Sequence, residues 1–252
     1  MNIVTESRYG KIIVNTNDKY VGRSLIKYGE FSESECKLFR QIIQPNDVVI
    51  DVGANYGAHT IFFASIARHV FAFEPQKQVF NCLCGTLALN EIDNVEAFRV
   101  PVGTGEKVFY KELDFSVENN MGAYSFVDMV EGEEIPSFPL TIDCDFLKVD
   151  VEGMELQVLK GAEEMIRRCK PVLFVENDRP AKSDELIGFI ESLGYNAYWF
   201  ITPLFNPDNF LQDKEDIFTD LFSINMVCVD GILRGMIPAK EGKWEEHLFS
   251  FR

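Results

Sequence analysis

The stretch Val48-Val49-Ile50-Asp51-Val52-Gly53-Ala54-Asn55-Tyr56-Gly57-Ala58-His59-Thr60 decides how this chain folds. It begins as a short β-branched apolar run, the pattern of a strand buried on both faces in a parallel sheet. The run stops at a glycine-bearing turn, and helical spacing resumes at Thr60 with Ile61, Phe62, Ala64 and Ile66. Strand, tight loop and helix form the first unit of a nucleotide-type α/β fold, with its crevice at the strand's carboxyl end. Gly53 and Gly57 lack a Cβ, so the loop can take unusual dihedrals and let a ligand approach its backbone. A dinucleotide site needs G-x-G-x-x-G, whereas Ala54 and Asn55 stand where more glycine would seat a pyrophosphate. The expected ligand therefore carries an adenosine and no pyrophosphate. S-adenosylmethionine fits, with Asp51 and the loop amides near its amino-acid end and Gly53, Ala54, Asn55, Tyr56, Gly57 and Thr60 around it.

A second short strand, Val70-Phe71-Ala72-Phe73, ends in Glu74-Pro75. An acid at the tip of the second strand is placed to accept hydrogen bonds from both ribose hydroxyls. Alone, Asp51 reads as a strand-end cap and Glu74 as an exposed turn residue; together, at this spacing, they favour a cofactor site.

These residues resemble the FkbM family of S-adenosylmethionine-dependent methyltransferases. The resemblance rests on D-V-G-A-N-Y-G-A-H-T at Asp51 to Thr60, A-F-E-P at Ala72 to Pro75 and N-M-G-A at Asn120 to Ala123. Most specific is F-L-K-V-D-V-E-G-M-E-L-Q-V-L-K-G-A at Phe146 to Ala162. It covers Tyr20 to Glu176. The resemblance implies a class I methyltransferase, a Rossmann-like three-layer α/β sandwich with a mostly parallel seven-stranded sheet. A small hairpin and helix precede it here. It also implies a hydroxyl acceptor on a small molecule or glycan, a sugar first; polyketide-like and other secondary-metabolite hydroxyls are the alternative. Family members commonly carry an Asn-x-Gly-Gly-like element where this chain has Ala123 in place of the second glycine, so Asn120 either orients a ligand or forms a turn.

With 252 residues the chain is long enough for one α/β domain that buries roughly three quarters of its unfolded surface. The expected division is an N-terminal hairpin and helix over 1–46 and a catalytic core over 47–252. Forty acids against 24 Lys and Arg give a net charge of −16, which argues against a nucleic-acid partner, since phosphate binding needs a basic footprint. Six cysteines lie scattered without a C-x-x-C pair, as expected for free thiols in a reducing cytoplasm. The first residues show no signal-peptide pattern, and no run approaches a membrane span.

Along the chain, Lys11–Val14 and Lys19–Val21 read as a strand pair. Ser32 and Glu35 form a capping-box pattern opening a helix through Ile43, and Tyr28 to Phe31 before it are candidates for the cleft wall. The loop after the third strand brings Val102 towards the adenine. Lys107–Lys111 looks like an added strand. Helices are expected from Met154 to Ile166 and from Asp184 to Leu193, and Ile224–Val229 as the last strand.

Three acids gather at strand tips in this reading: Asp150, Glu152 and Glu176. A hydroxyl acceptor must lose its proton as the methyl arrives, and a positioned base supplies roughly 10²–10⁴ in rate. One acid can serve as that base, or two can hold a divalent cation that acidifies the hydroxyl. Glu152 lies two residues past Asp150 across a turn backed by Gly153, so the two carboxylates are expected on different sides and the transfer metal-independent. His59, on the same edge, is a further base candidate. Tyr198, Trp199, Phe205, Phe210 and Phe218 either wall the acceptor pocket or belong to the core. A non-catalytic cofactor-binding module is the rival reading, disfavoured by the acids at the strand tips.

Overall fold

The computed structural model describes residues 1–118, 120 and 131–239. The chain opens on a hairpin of β1 (Asn2–Ser7) and β2 (Gly10–Asn15), paired antiparallel from Asn2 opposite Asn15 to Ser7 opposite Gly10. The sequence pattern had paired β2 with the residues after it. Those residues enter helix α1 (Val21–Tyr28) instead. Asp18 decides this, because its carboxylate accepts hydrogen bonds from the amides of Tyr20 (3.2 Å) and Gly22 (2.9 Å), turning the chain into a helix start.

Helix α2 (Glu33–Ile42) follows, but not with the expected capping box. Ser32 sits at φ 50° and makes no side-chain cap, so the Glu35 side chain is free to point elsewhere. Then come β3 (Val48–Val52), α3 (Ala58–Ile66), β4 (His69–Phe73), α4 (Lys77–Leu89) and β5 (Val95–Phe98). Next, β6 (Lys107–Tyr110), the added strand, pairs with β7 (Glu133–Pro136) in a separate two-stranded sheet. The chain continues through β8 (Phe146–Val149), α5 (Glu155–Gly161), α6 (Glu163–Cys169), β9 (Val172–Glu176), α7 (Pro180–Ser192), β10 (Asn196–Pro203) and β11 (Phe222–Val229).

Two helices differ from the pattern for visible reasons. The helix expected over Met154–Ile166 is broken at Ala162, because the Leu140 amide donates to the Gly161 carbonyl (3.1 Å) and draws it out of the helical ladder. Helix α7 begins four residues before Asp184, with Pro180 in its first turn, where a missing N–H costs nothing.

The main sheet has the order β10-β11-β9-β8-β3-β4-β5. Its centre is parallel, Val49 standing opposite Val70 on β4 and Phe146 on β8, while β11 runs antiparallel between β9 and β10. This is the seven-stranded, mostly parallel sheet expected from the sequence. Side chains alternate across it, as the period of two demands. Ile50, Val52, Leu147 and Val175 pack with residues of α5, α6 and α7, whereas Val49, Phe146, Phe174 and Val227 pack with Phe39 of α2 and Phe62 and Phe63 of α3. Helices thus cover both faces, and the carboxyl edges of β3, β4, β8 and β9 are left to form a site. No helix among the described residues is long and apolar enough to cross a membrane.

Candidate active site

A cavity of about 350 Å³ opens at that edge, within the usual size for a small-molecule pocket. The β3–α3 loop enters it first. Asn55 takes φ 51° and Gly53 φ 86°, and Gly53, Ala54, Asn55 and His59 line the space. At the next strand tip, Glu74 and Pro75 line it too, beside Gln76. The Glu74 carboxylate accepts one amide on each oxygen, Asn55 N at 3.1 Å and Gln76 N at 2.8 Å. Its burial pushes its pKa up to about 7, against the pull of those amides. Gln76 Oε1 is buried without a donor among the described residues.

Several loop residues expected at the ligand support the site from behind. Asp51 is fully buried, accepts a hydrogen bond from Thr60 Oγ1 at 2.7 Å and lies 3.4 Å from Lys148 Nζ. It locks the start of α3 to β3 and does not line the cavity. Tyr56, Gly57 and Thr60 likewise stay off the lining; Tyr56 packs with Ile12 and Val79 under the hairpin. Val102 is a core residue bridged to Phe138 and does not reach the cavity. Asn120 lines the cavity, whereas Met121, Gly122 and Ala123 of the same motif lie outside the described residues.

The opposite end is acidic. Asp150, Glu152 and Glu176 each offer a carboxylate oxygen, and these oxygens lie within 4.8 Å of one another. The expectation that Glu152 would point away from Asp150 is corrected here. At φ 57° the Glu152 backbone turns the side chain back to the cluster, where Arg179 Nη2 donates to it at 2.9 Å. Burial, then Asp150, raises Glu152 to about 8, with Arg179 opposing. Burial followed by the charges of Asp150 and Glu152 holds Glu176 well above the usual carboxylate range. The spacing could hold a divalent cation through oxygen ligands, but Arg179 already brings positive charge to it, its Nη1 lying 3.9 Å from Glu176 and 3.0 Å from Asp178.

Sequence reasoning missed the group beneath this cluster. Lys148 is 2% exposed and lies between Asp51 (3.4 Å) and Asp150 (3.2 Å). Burial opposes its charge, yet Asp150, Asp51 and Glu35 outweigh that and raise its pKa. A lysine inside the apolar run Phe146–Val149 was the available signal, since buried lysines are almost always paired. Of the cleft-wall candidates near α1, Phe31 lines the cavity, while Tyr28 and Glu30 do not. Glu30 instead accepts hydrogen bonds from Arg8, Asn206 and the Phe210 amide. The aromatic set Tyr198, Trp199, Phe205, Phe210 and Phe218 also stays off the lining, whose wall comes from Leu204, Leu221 and Phe222. Phe205 and Phe218 pack on Tyr28.

The sheet order, the acid at the β4 tip and the glycine loop after β3 define a class I methyltransferase-type fold with an adenosine-sized site. Residues 51–197, more than half of the chain, match the methyltransferase FkbM domain. The chain belongs to the FkbM methyltransferase family. It is 30% identical over 152 residues to the hexuronic acid methyltransferase AglP of Haloferax volcanii, a match covering 54% of this chain and 59% of that protein. The match thus spans under two thirds of that relative's length. Among solved structures, methyltransferase FkbM from Methylobacillus flagellatus aligns with a TM-score of 0.48 at 16% identity, over 77% of this chain and 50% of that one. TYW2 from M. jannaschii, solved with AdoMet, aligns with a TM-score of 0.46 at 14% identity, over 90% and 84% respectively.

Proposed function

We propose that this chain is an S-adenosylmethionine-dependent O-methyltransferase acting on a hydroxyl of a small molecule or glycan, a sugar first. The observation that carries this is one cavity joining a ribose-type end, at Asn55, Glu74 and Gln76, to a carboxylate-rich end at Asp150, Glu152 and Glu176. The orphaned Gln76 Oε1 and the cavity-facing Glu74 carboxylate suit the donors of a nucleoside. When bound, S-adenosylmethionine supplies an electrophilic methyl group. Glu74 would hold the ribose, and the β3–α3 loop the amino-acid end. At the far end, Glu152 and Glu176, both shifted towards the protonated form, hold the acceptor by hydrogen bonds, with Asp150 and His59 beside them. Holding acceptor and methyl in line is worth up to ~7–11 kcal/mol in well-oriented systems. The similarity to AglP, a hexuronic acid methyltransferase, supports a sugar acceptor, and the excess of acid in the cavity and the chain disfavours nucleic acid. In this proposal the chain works as a single domain in the cytoplasm.

Calorimetric titration with S-adenosylmethionine and with NAD tests the cofactor; binding of NAD alone would end this reading. A screen of sugars for labelled-methyl transfer tests the acceptor. Glu74→Ala is expected to weaken S-adenosylmethionine binding by ~1.5–3 kcal/mol, as for a lost charged hydrogen bond, or roughly tenfold and more. Unchanged affinity in a folded variant would remove Glu74 from the site.

Asp150→Asn removes a charge with the shape kept, and Glu152→Gln replaces a carboxyl shifted towards its protonated form by an amide of the same shape. Through loss of acceptor positioning, at least one is expected to lower turnover by ~10²-fold with cofactor affinity kept; normal turnover in both would exclude them from holding the acceptor. Because Arg179 already supplies a cation to the cluster, EDTA is expected to leave the rate unchanged. Loss of activity restored by Mg²⁺ would replace this mechanism with a metal-held hydroxyl.

A further inference from the structure

At the cavity wall near β11, residues outside the span that matches the family meet His59 from inside it. Glu35 of α2 is 3% exposed and lines the cavity. Its Oε1 accepts hydrogen bonds from Ser223 Oγ and from Asn225 Nδ2 at 3.0 Å, both on β11. Its Oε2 faces His59 Nε2 at 3.5 Å. His59 also lines the cavity, is 6% exposed, and its Nε2 is buried without a hydrogen-bond partner among the described residues. A carboxylate oxygen and an unsatisfied ring nitrogen thus stand together on the cavity wall. A buried polar atom left this way costs about 1–3 kcal/mol, which a bound hydroxyl would recover.

We propose that Glu35, steadied by Ser223 and Asn225 and flanked by His59, takes the proton of the acceptor hydroxyl during methyl transfer. This rests on the methyltransferase reading above. The acceptor's O–H bond breaks as its oxygen bonds the methyl carbon. The electron pair of the broken carbon–sulfur bond stays on sulfur, which becomes neutral, and the proton ends on Glu35 Oε2.

The partners of the other acids lining the cavity single out Glu35. Asp150 is paired with Lys148, and Glu152 and Asp178 are engaged by Arg179. Glu176 lies beside the same guanidinium and is held towards its protonated form, and Glu74 stands at the ribose-type end with an amide on each oxygen. Burial raises Glu35 to about 7, with the Ser223 hydrogen bond opposing, where a general base works best near neutral pH. His59 is kept neutral by burial and by Lys148, so it does not quench the carboxylate as an ion pair. The charged groups that bear on Glu35 are Lys148 of β8 and Asp150 just past its end, with His59 of α3 alongside and uncharged Ser223 and Asn225 on β11.

The test pairs a structure with a variant. In a crystal structure with sinefungin, whose amine stands where the transferred methyl would be, that amine is expected within one bridging water of Glu35 Oε2, at roughly 2.6–3.2 Å per hydrogen bond. An amine directed at Glu152 and Glu176, out of that reach, overturns the proposal. Glu35→Gln keeps an acceptor oxygen for Ser223 and Asn225, so the fold should hold, and its S-adenosylmethionine affinity should stay within about threefold by calorimetry. Transfer to whichever methyl glycoside of glucose, glucosamine or glucuronic acid carries label should fall by ~10²-fold or more, with the rise in rate around pH 7 removed. A variant with a rate within tenfold of the original, or with the same pH profile, also overturns it. Failure of the unaltered protein to bind S-adenosylmethionine would instead remove the methyltransferase reading itself.

Discussion

Lys148→Met is expected to destabilise the protein by about 3–5 kcal/mol, the usual result of removing one partner of a buried ion pair. The reason is local. Asp51 is fully buried, and its Oδ1 has no hydrogen bond among the described residues beyond the ion-pair contact with Lys148. Methionine matches the length of the lysine stem but leaves Asp51 and Asp150 facing each other without a cation. Urea unfolding at pH 7 measures the loss. The double variant Asp51→Leu/Lys148→Met should recover part of it, because a well-packed apolar pair often equals or exceeds a buried ionic one. A loss under about 1 kcal/mol, the range of an exposed pair, would show that Lys148 reaches solvent or that water screens it.

Gly53→Ala is expected to lose roughly 3–5 kcal/mol, combining backbone strain with overpacking. Gly53 sits at φ 86°, and a Cβ there would fall 1.8 Å from the Asp150 carbonyl oxygen. That neighbour is backbone at the tip of β8, so it cannot swing aside as a side chain would. The strand tips must separate, and cofactor affinity should fall with stability. From the sequence, this glycine was assigned to the close approach of a ligand. The structure shows that the chain itself needs it first. A Gly53→Ala protein of normal stability that had lost only S-adenosylmethionine binding would restore the earlier assignment.

The capping-box pattern at Ser32 and Glu35 shows how a local signal can hide a tertiary one. Both residues suit a helix start, and nothing within a few positions argues otherwise. Ser223 and Asn225, the partners that draw the Glu35 side chain away, lie 188 and 190 residues further along. Likewise the strand-tip acids were legible, but Arg179 and the turn that folds Glu152 back to Asp150 were not. Their geometry depends on the left-handed backbone at Glu152 and on the start of α7.

The sequence by itself determined the inner strands and the edge of the sheet that carries the site. The mainly apolar runs Val48–Val52, Val70–Phe73, Phe146–Val149 and Val172–Val175 suit inner strands, and an acid or glycine after each marks the strand's carboxyl end. Such signals are short-range, because solvation and backbone freedom act residue by residue. Only the tertiary structure decided which polar groups meet. Lys148 between Asp51 and Asp150, Glu35 against β11, and Val102 turned into the core all follow from parallel strand register and helix packing. Those set distances between residues far apart in the chain, and a buried charge takes its meaning from whichever partner that packing brings to within a few ångströms.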